Sequence, residues 1–504
     1  MLSINKYRRE IIGFVLLSLV YFVFRSVNLT SLPIFTDEAI YLRWAQIALH
    51  DPTWRFISLT DGKQPLFIWF VMVFMKLAGD PLIAGRLVSV FSGFFTLIGL
   101  LLLTYELFKN KTVSCLTGIL YVFYPFAHLY DRMALMDGMV GTFAVWGLYF
   151  GVLLVRRVRL DTAYTLGFII GGAALTKSNG FFSAYLLPIT LILFDFKQKN
   201  ARAKLVRWVI FAGLAFGISQ VMYSVLRLSP FFHIIAEKNN TFIYTFQEWV
   251  NHPFNFLLNN LKNLFFWLVS YLSTIAFLVV FGFLGRKFIK EKIVLFLYFL
   301  IPFVVLALLA KIMYPRYIYP MSLTLLPIAG YGIYYLAEKI KEKTKFKKSL
   351  IPLTFIFLVY PMFISYQITF SPSIAPIADS DHSQYIKDWP AGWGVREAVL
   401  FFKKESRNQQ ILVATEGTFG LMPYSLELYL WSNPNVIIKG IWPIEDSPPK
   451  ELTDAARKLP TYVLFYQPCP SCSNDKFNPP LNWHVKKVFK ADKGYLSIYK
   501  FVSK

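Results

Sequence analysis

Through its first 370 positions the chain alternates between apolar runs of about 17–25 residues and short polar stretches, the period expected when each run crosses a hydrocarbon layer roughly 30 Å thick. The pattern predicts about eleven membrane-spanning helices, near 11–27, 82–108, 113–129, 138–155, 163–176, 180–194, 205–226, 263–284, 293–310, 317–337 and 349–368. Basic residues fill alternate loops between them. They are Lys6, Arg8 and Arg9; Lys109 and Lys111; Arg156, Arg157 and Arg159; Lys197, Lys199, Arg202, Lys204 and Arg207; Arg286, Lys287, Lys290 and Lys292; and the run from Lys339 to Lys348. Lysine and arginine accumulate in cytoplasmic loops, so these loops and the amino terminus are expected inside and the remaining loops outside. The stretch from Ile11 to Phe24 follows a basic segment as a signal peptide does, but no small-residue cleavage site follows it, which reads as a retained first span.

One run breaks the series. PLFIWFVMVFMKLAG, residues 65–79, is short for a span, and counting it would invert every later loop, so it is expected to lie in the outer leaflet. The first outer loop, 28–81, is then a structured element. Thr36 reads as a helix N-cap with Asp37 and Glu38 in the first turn, where the helix dipole favours carboxylates. Ile40, Trp44, Ile47 and Ala48 follow at helical spacing, as in a helix lying along a membrane surface. A second outer loop, 227–262, is rich in Phe, Tyr, Trp and Asn, a composition suited to the lipid–water boundary.

After residue 370 the pattern changes. Ser371, Pro372, Ser373 and Pro376 form a linker, and 371–504 reads as a small soluble α/β domain held outside. GWGVREAVLFFKK has helical periodicity; QILVAT, NVIIKG, YVLFY and GYLSIYKF are strand-like runs between turn residues. The expected architecture is an α-helical polytopic membrane domain, 1–370, followed by an extracytoplasmic α/β domain, 371–504.

Composition excludes a soluble protein: 56% of residues are hydrophobic, 16% are charged and the mean hydropathy is +0.49. The formal charge of +23 would suggest nucleic acid in a soluble chain, but here the topology clusters account for it, so membrane lipid is the expected partner and nucleic acid is not. A plasma membrane is the expected location. Cys115 falls in a span. Cys469 and Cys472 could close a small disulfide loop in an oxidising compartment.

Eight ionisable residues fall at the outer ends of spans and outside the basic clusters: Asp37, Glu38, Lys63, Arg86, Arg132, Asp137, Lys177 and Arg316. Such groups cost several kcal/mol near hydrocarbon unless paired or hydrated, which marks them as functional candidates. The plainer alternatives are an ion pair locking helices for Asp137, Lys177 and Arg132, and a helix cap for Asp37 and Glu38.

The segments carrying these residues resemble one family. FTDEAIYLRWA is similar to the acidic first-loop motif of the C-type glycosyltransferases, in particular the protein O-mannosyltransferases and lipid A aminoarabinose transferases. DGKQPLFIW, AGRLVSVFSG, YDRMALMDGMVGTF, ALTKSNG and YPRYIYPM resemble later motifs of that family, in the same order, over roughly residues 10–340. Gln64 stands where the family usually has proline, and the C-terminal domain is unlike the repeat-rich luminal domain of the eukaryotic mannosyltransferases. The resemblance implies inverting transfer of a sugar from a polyprenyl-phosphate donor to a hydroxyl of a protein, glycolipid or glycan acceptor.

The residue types agree with such chemistry. Phosphate is the leaving group, and cations stabilise the charge that develops on it, arginine as a fork and lysine as a point charge. Lys63, Arg86 and Arg316, with Tyr317 beside it, are the expected donor-phosphate group. Asp37 is the expected base for the acceptor hydroxyl, attacking opposite the leaving phosphate. Glu38 is expected to orient Asp37, contact the sugar or cap the helix. Asp137 is expected to hold the acceptor or pair with Arg132, and Arg132 and Lys177 are substrate-binding candidates. No cofactor is required. A divalent metal stays open, although the six histidines (His50, His128, His233, His252, His382, His484) show no ligand spacing on one helix. Two competing classes use the same lipids: a flippase or transporter of lipid-linked saccharides, and a glycan ligase or polymerase. The first would favour internal repeats and charges near the bilayer midplane, neither of which the sequence shows.

Overall fold

A computed structural model describes residues 8–344, 350–441, 449–467, 483–491 and 494–501. The chain is mostly helical, and among the described residues it divides into two compact units. The first comprises 1–29, 55–70 and 86–378, and the second 30–54, 71–85 and 379–504. The segments 30–54 and 71–85 thus group with the C-terminal domain, and 55–70 with the spans.

In chain order the first helices are α1 (Arg8–Ser26), α2 (Thr36–His50), α3 (Leu66–Met75), α4 (Pro81–Phe108), α5 (Lys111–Phe123), α6 (Pro125–Tyr130), α7 (Met136–Arg157) and α8 (Leu160–Thr176). By length and composition five described helices can cross a membrane: α4, α7, Ala201–Leu228, Ile289–Leu309 and Leu350–Phe370. A bent pair, Leu257–Leu272 and Ile275–Leu284, meeting at 95°, makes a sixth. The chain is a multi-pass membrane protein. Several of the eleven expected runs are interrupted. The run at 113–129 breaks between Phe123 and Pro125 into α5 and α6, because proline lacks the N–H that would continue the ladder. The run at 180–194 is a series of short helical turns ending in a 3₁₀ segment with Pro188 in its first turn. Residues 65–79 form α3, only ten residues long.

The first unit has a polar centre. Arg25, at the end of α1, and Asp131, just after α6, pair at 3.1 Å with both side chains fully buried. Tyr121 and Tyr319 each donate to Asp131 at 2.9 Å, and Arg25 also donates to the carbonyl of Val122 at 2.8 Å. Arg132 turns to the carbonyls that α1 leaves without helical donors, giving bonds to Arg25 and Val27 O at 2.9 and 2.8 Å and to Asn28 O at 2.8 Å. Arg156, read from sequence as a solvated topology residue, bridges Glu106 of α4 and Glu291 of Ile289–Leu309 at 3.1 and 3.2 Å.

In the second unit five strands, β1 (Ile411–Glu416), β2 (Val436–Ile441), β3 (Thr461–Gln467), β4 (Trp483–Ala491) and β5 (Gly494–Phe501), form a sheet in the order β2-β1-β3-β5-β4. β2, β1 and β3 are parallel; β5 and β4 run antiparallel. One face buries Leu412, Ala414, Val463, Phe465, Trp483, Tyr499 and Phe501 with Leu452 of the helix Lys450–Ala456. The four strand-like runs of the sequence are β1, β2, β3 and β5, and the expected helix is Val395–Glu405. Cys469 and Cys472 lie outside the described residues.

Candidate active site

A cavity of about 430 Å³ opens within the first unit. Two turns contribute to its polar lining, Gly62, Lys63 and Gln64 before α3 and Lys177, Ser178 and Asn179 after α8, and Lys238 and Asn239 add to it. The two turns touch, since Gln64 donates to the Ser178 hydroxyl at 2.8 Å. Lys177 donates to Asp137 at 2.7 Å, and its ammonium lies 4.8 Å from the centre of the Tyr317 ring, which also lines the cavity. Most of the remaining wall is apolar: Phe181, Phe182 and Leu186 on one side of the sequence, and Pro302, Val305, Leu306 and Leu309 from the helix Ile289–Leu309.

The helix Ile234–Phe242, from the aromatic stretch 227–262, packs over the first turn. Lys238 pairs with Asp61 at 2.5 Å, and the Lys63 ammonium lies 5.1 Å from the centre of the Phe242 ring. Gly62 makes this approach feasible. Its φ is +66°, and a Cβ there would come within 2.7 Å of the Lys238 Cβ. Lys63 is therefore presented from a tight turn whose other face is covered by a helix.

The expected residues divide by place. Lys63, Lys177 and Tyr317 line the cavity, and Asp137, almost fully buried, is held against Lys177. Asp137 pairs with Lys177 rather than with Arg132, which turns to the carbonyls at the end of α1. Asp137 lies in the first turn of α7, whereas Arg132 precedes that helix and is taken up by carbonyls at the end of α1. Arg316 is buried beside the rings of Tyr314 and Tyr317, 4.9 and 5.9 Å from their centres. Arg86 is fully buried and donates to the Leu29 carbonyl at 2.8 Å.

Asp37 and Glu38 belong to the second unit, at the start of α2. The cap there is displaced by one residue from the expectation: Phe35 is the N-cap position and Thr36 the first helical residue. The buried Glu38 carboxylate accepts from the Phe35 N–H at 3.0 Å, satisfying a donor that the helix cannot. This bond is of the kind expected of Glu38 as a helix cap. Thr36 instead donates to the Pro390 carbonyl at 3.2 Å. Among the described residues no three His, Cys, Asp or Glu side chains are grouped to hold a metal.

Sequence reasoning passed over Arg25, Asp131, Gln64 as a donor, Ser178 and Lys238. For Arg25 a signal existed, because a lone arginine inside an apolar run demands a buried partner. Lys238 had none, being one polar residue among many in an outer loop.

The whole chain superimposes on the crystal structure of ArnT from Cupriavidus metallidurans in the apo state with a TM-score of 0.60 and 14% identity, covering 98% of each chain. This is the fold of the C-type glycosyltransferases. The structure of the same ArnT bound to undecaprenyl phosphate matches with a TM-score of 0.58 and 13% identity, again over 98% of each chain. Residues 62–226, which contain Lys63, Arg86, Arg132, Asp137 and Lys177, match the family model for dolichyl-phosphate-mannose-protein mannosyltransferase. No curated protein matches the chain by sequence.

Proposed function

We propose that this C-type fold transfers a sugar from a polyprenyl-phosphate carrier to an acceptor hydroxyl on the extracytoplasmic side of the membrane, with inversion at the sugar carbon. The observation that carries the reading is the composition of the cavity wall. Two ammoniums, two amides and a hydroxyl from two touching turns meet an otherwise mostly apolar lining, which fits a ligand with an anionic head and a hydrocarbon tail. The ArnT bound to undecaprenyl phosphate supports the class of ligand.

Lys63 and Lys177 receive the phosphate, and Arg316 adds positive charge from behind Tyr317. As the glycosidic bond breaks, its electron pair stays on the phosphate oxygen, and these cations stabilise the growing charge without reorganising. Asp37 accepts the proton of the acceptor hydroxyl as its oxygen bonds to the sugar carbon. Asp137 holds the Lys177 ammonium in place. Arg132 holds the end of α1, and Arg86, which donates to the Leu29 carbonyl, adds positive charge to the donor-phosphate group.

Purified protein in liposomes distinguishes transfer from transport. Given a polyprenyl-phosphate-linked sugar and the extracted membrane acceptors, a transferase releases free polyprenyl phosphate, and Asp37→Asn abolishes the release while undecaprenyl phosphate still binds. Movement of the intact lipid-linked sugar across the bilayer without bond cleavage would refute the proposal.

A further inference from the structure

Asp37 sits on a helix that the C-terminal domain holds at its start and again past its middle. At the start of α2, Thr36 donates to the Pro390 carbonyl at 3.2 Å, and Phe35 meets the Tyr385 ring edge-on at 4.8 Å. Gly392, with φ of +67°, lies so close to the Ile34 carbonyl that any Cβ there would collide with it. Two turns further on, Arg43 donates to Glu427 at 2.8 Å and to Gln46 at 2.8 Å, and its guanidinium stacks 4.3 Å from the centre of the Trp431 ring. Gln46 passes the contact on to the Leu428 carbonyl at 3.1 Å. Glu427, Leu428 and Trp431 lie at the end of the helix Leu421–Leu430, which follows β1 in the sheet domain.

We infer that the C-terminal domain positions the catalytic helix, and that Arg43 with Glu427 is the contact that sets the angle of Asp37. The inference rests on the role proposed above for Asp37. Lever arithmetic decides why so small a contact matters. Six residues of helix separate Asp37 from Arg43, about 9 Å at 1.5 Å per residue, so a tilt of about 6° moves the carboxylate by roughly 1 Å, and a displacement of that size can cost about 100-fold in rate. The pair itself contributes little to stability. Glu427 is partly exposed, and ion pairs reached by solvent are typically worth about 0.2–1 kcal/mol. A positioning contact and a merely structural one therefore predict opposite things: the first a large loss of activity with little loss of stability, the second the reverse.

The test uses full-length variants expressed in a strain deleted for the protein, with the glycoconjugate lost on deletion measured by mass spectrometry. Arg43→Ala and Glu427→Ala each lower the restored glycoconjugate formation rate at least tenfold, the double variant lowers it no further than the worse single one, and Arg43→Lys recovers part of it. In detergent, the same proteins bind undecaprenyl phosphate as the wild type does, with unfolding midpoints within about 2 °C, as a ΔΔG well under 1 kcal/mol requires in a chain of this size. Wild-type activity in Arg43→Ala alongside an inactive Asp37→Asn overturns the positioning role alone. An active Asp37→Asn overturns the reading on which it rests. A loss of activity that tracks a fall in unfolding midpoint or in lipid binding assigns Arg43 to the fold and also overturns the inference.

Discussion

Two ion pairs in the first unit have nearly the same chemistry and opposite settings. Arg25 and Asp131 are sealed, with no exposed side-chain surface, and both Asp131 oxygens are taken by Arg25, Tyr121 and Tyr319. Lys177 and Asp137 pair more closely, at 2.7 Å, yet the Lys177 side chain stays 21% exposed and lines the cavity. Sealing satisfies the charges completely and leaves nothing for a ligand. The open pair leaves a cation partly exposed at the cavity wall and holds it from the Asp137 side. The two pairs thus differ in solvent access rather than in charge, and the functional reading proposed above assigns substrate contact to the open one.

The largest effect should come from breaking the sealed pair. Asp131→Ala leaves Arg25 buried without its counter-charge, which costs about 3–5 kcal/mol. The expected outcome is loss of folded protein, read as the monodisperse yield from detergent extraction. Recovery of normal amounts would show that Arg25 finds another partner and that the pair is not structural. Next comes Lys63→Ala. It removes a preorganised cation from the cavity and should lower turnover by about 100- to 1000-fold at unchanged yield. Smaller again, Lys177→Met should cost roughly 10- to 100-fold in turnover, the worth of a charge-assisted bond, with folding kept because loss of the partly exposed ammonium opens a path for water to the Asp137 carboxylate. If Lys177→Met lost folded protein as Asp131→Ala does, the distinction between the two pairs would fail.

Glu416 extends the comparison to the sheet domain at the smallest scale. Burial at the end of β1 pushes its carboxyl up to about 8, against a partial pull downward from the Tyr466 N–H that it accepts. Because the folded value is raised, this group's contribution is complete below about pH 4.5. It is lost as pH rises to about 8, by up to roughly 1.4 kcal/mol per unit. Hydrogen exchange of β1 and β3 in the full-length protein should quicken between pH 5 and 8 beyond the intrinsic rate, and Glu416→Gln should flatten that rise.

What the sequence could show follows from the same contrast. Apolar periodicity marked where helices run and where the sheet domain begins, because burial in lipid or in a core demands it. It missed β4, whose Lys486, Lys487 and Lys490 mask the strand pattern at the edge of the sheet beside a bulge between Val485 and Lys487. It also missed the breaks at Pro125 and Ser273, where spans bend because of single residues. Of the site, the sequence could supply candidates but not partners. Asp137 has cations five residues before it and forty residues after it, and no spacing rule selects Lys177. Arg86 and Arg132 have the same charge as Lys63, and nothing in their spacing tells that they bond to carbonyls at and just beyond the end of α1. The placement of 30–54 with the C-terminal domain rests on contacts between segments more than 340 residues apart, such as Arg43 with Glu427, which local pattern does not encode.

The central claim is that a lipid phosphate lies in the cavity with its head at Lys63. Its most direct test is photocrosslinking of the full-length protein in membranes with a diazirine-bearing polyprenyl phosphate, followed by peptide mapping. Adducts should fall on Phe181 to Leu186 and on Val305 to Leu309, and Lys63→Ala should diminish them. Adducts confined to lipid-facing surfaces away from the cavity, and unchanged by Lys63→Ala, would contradict the account.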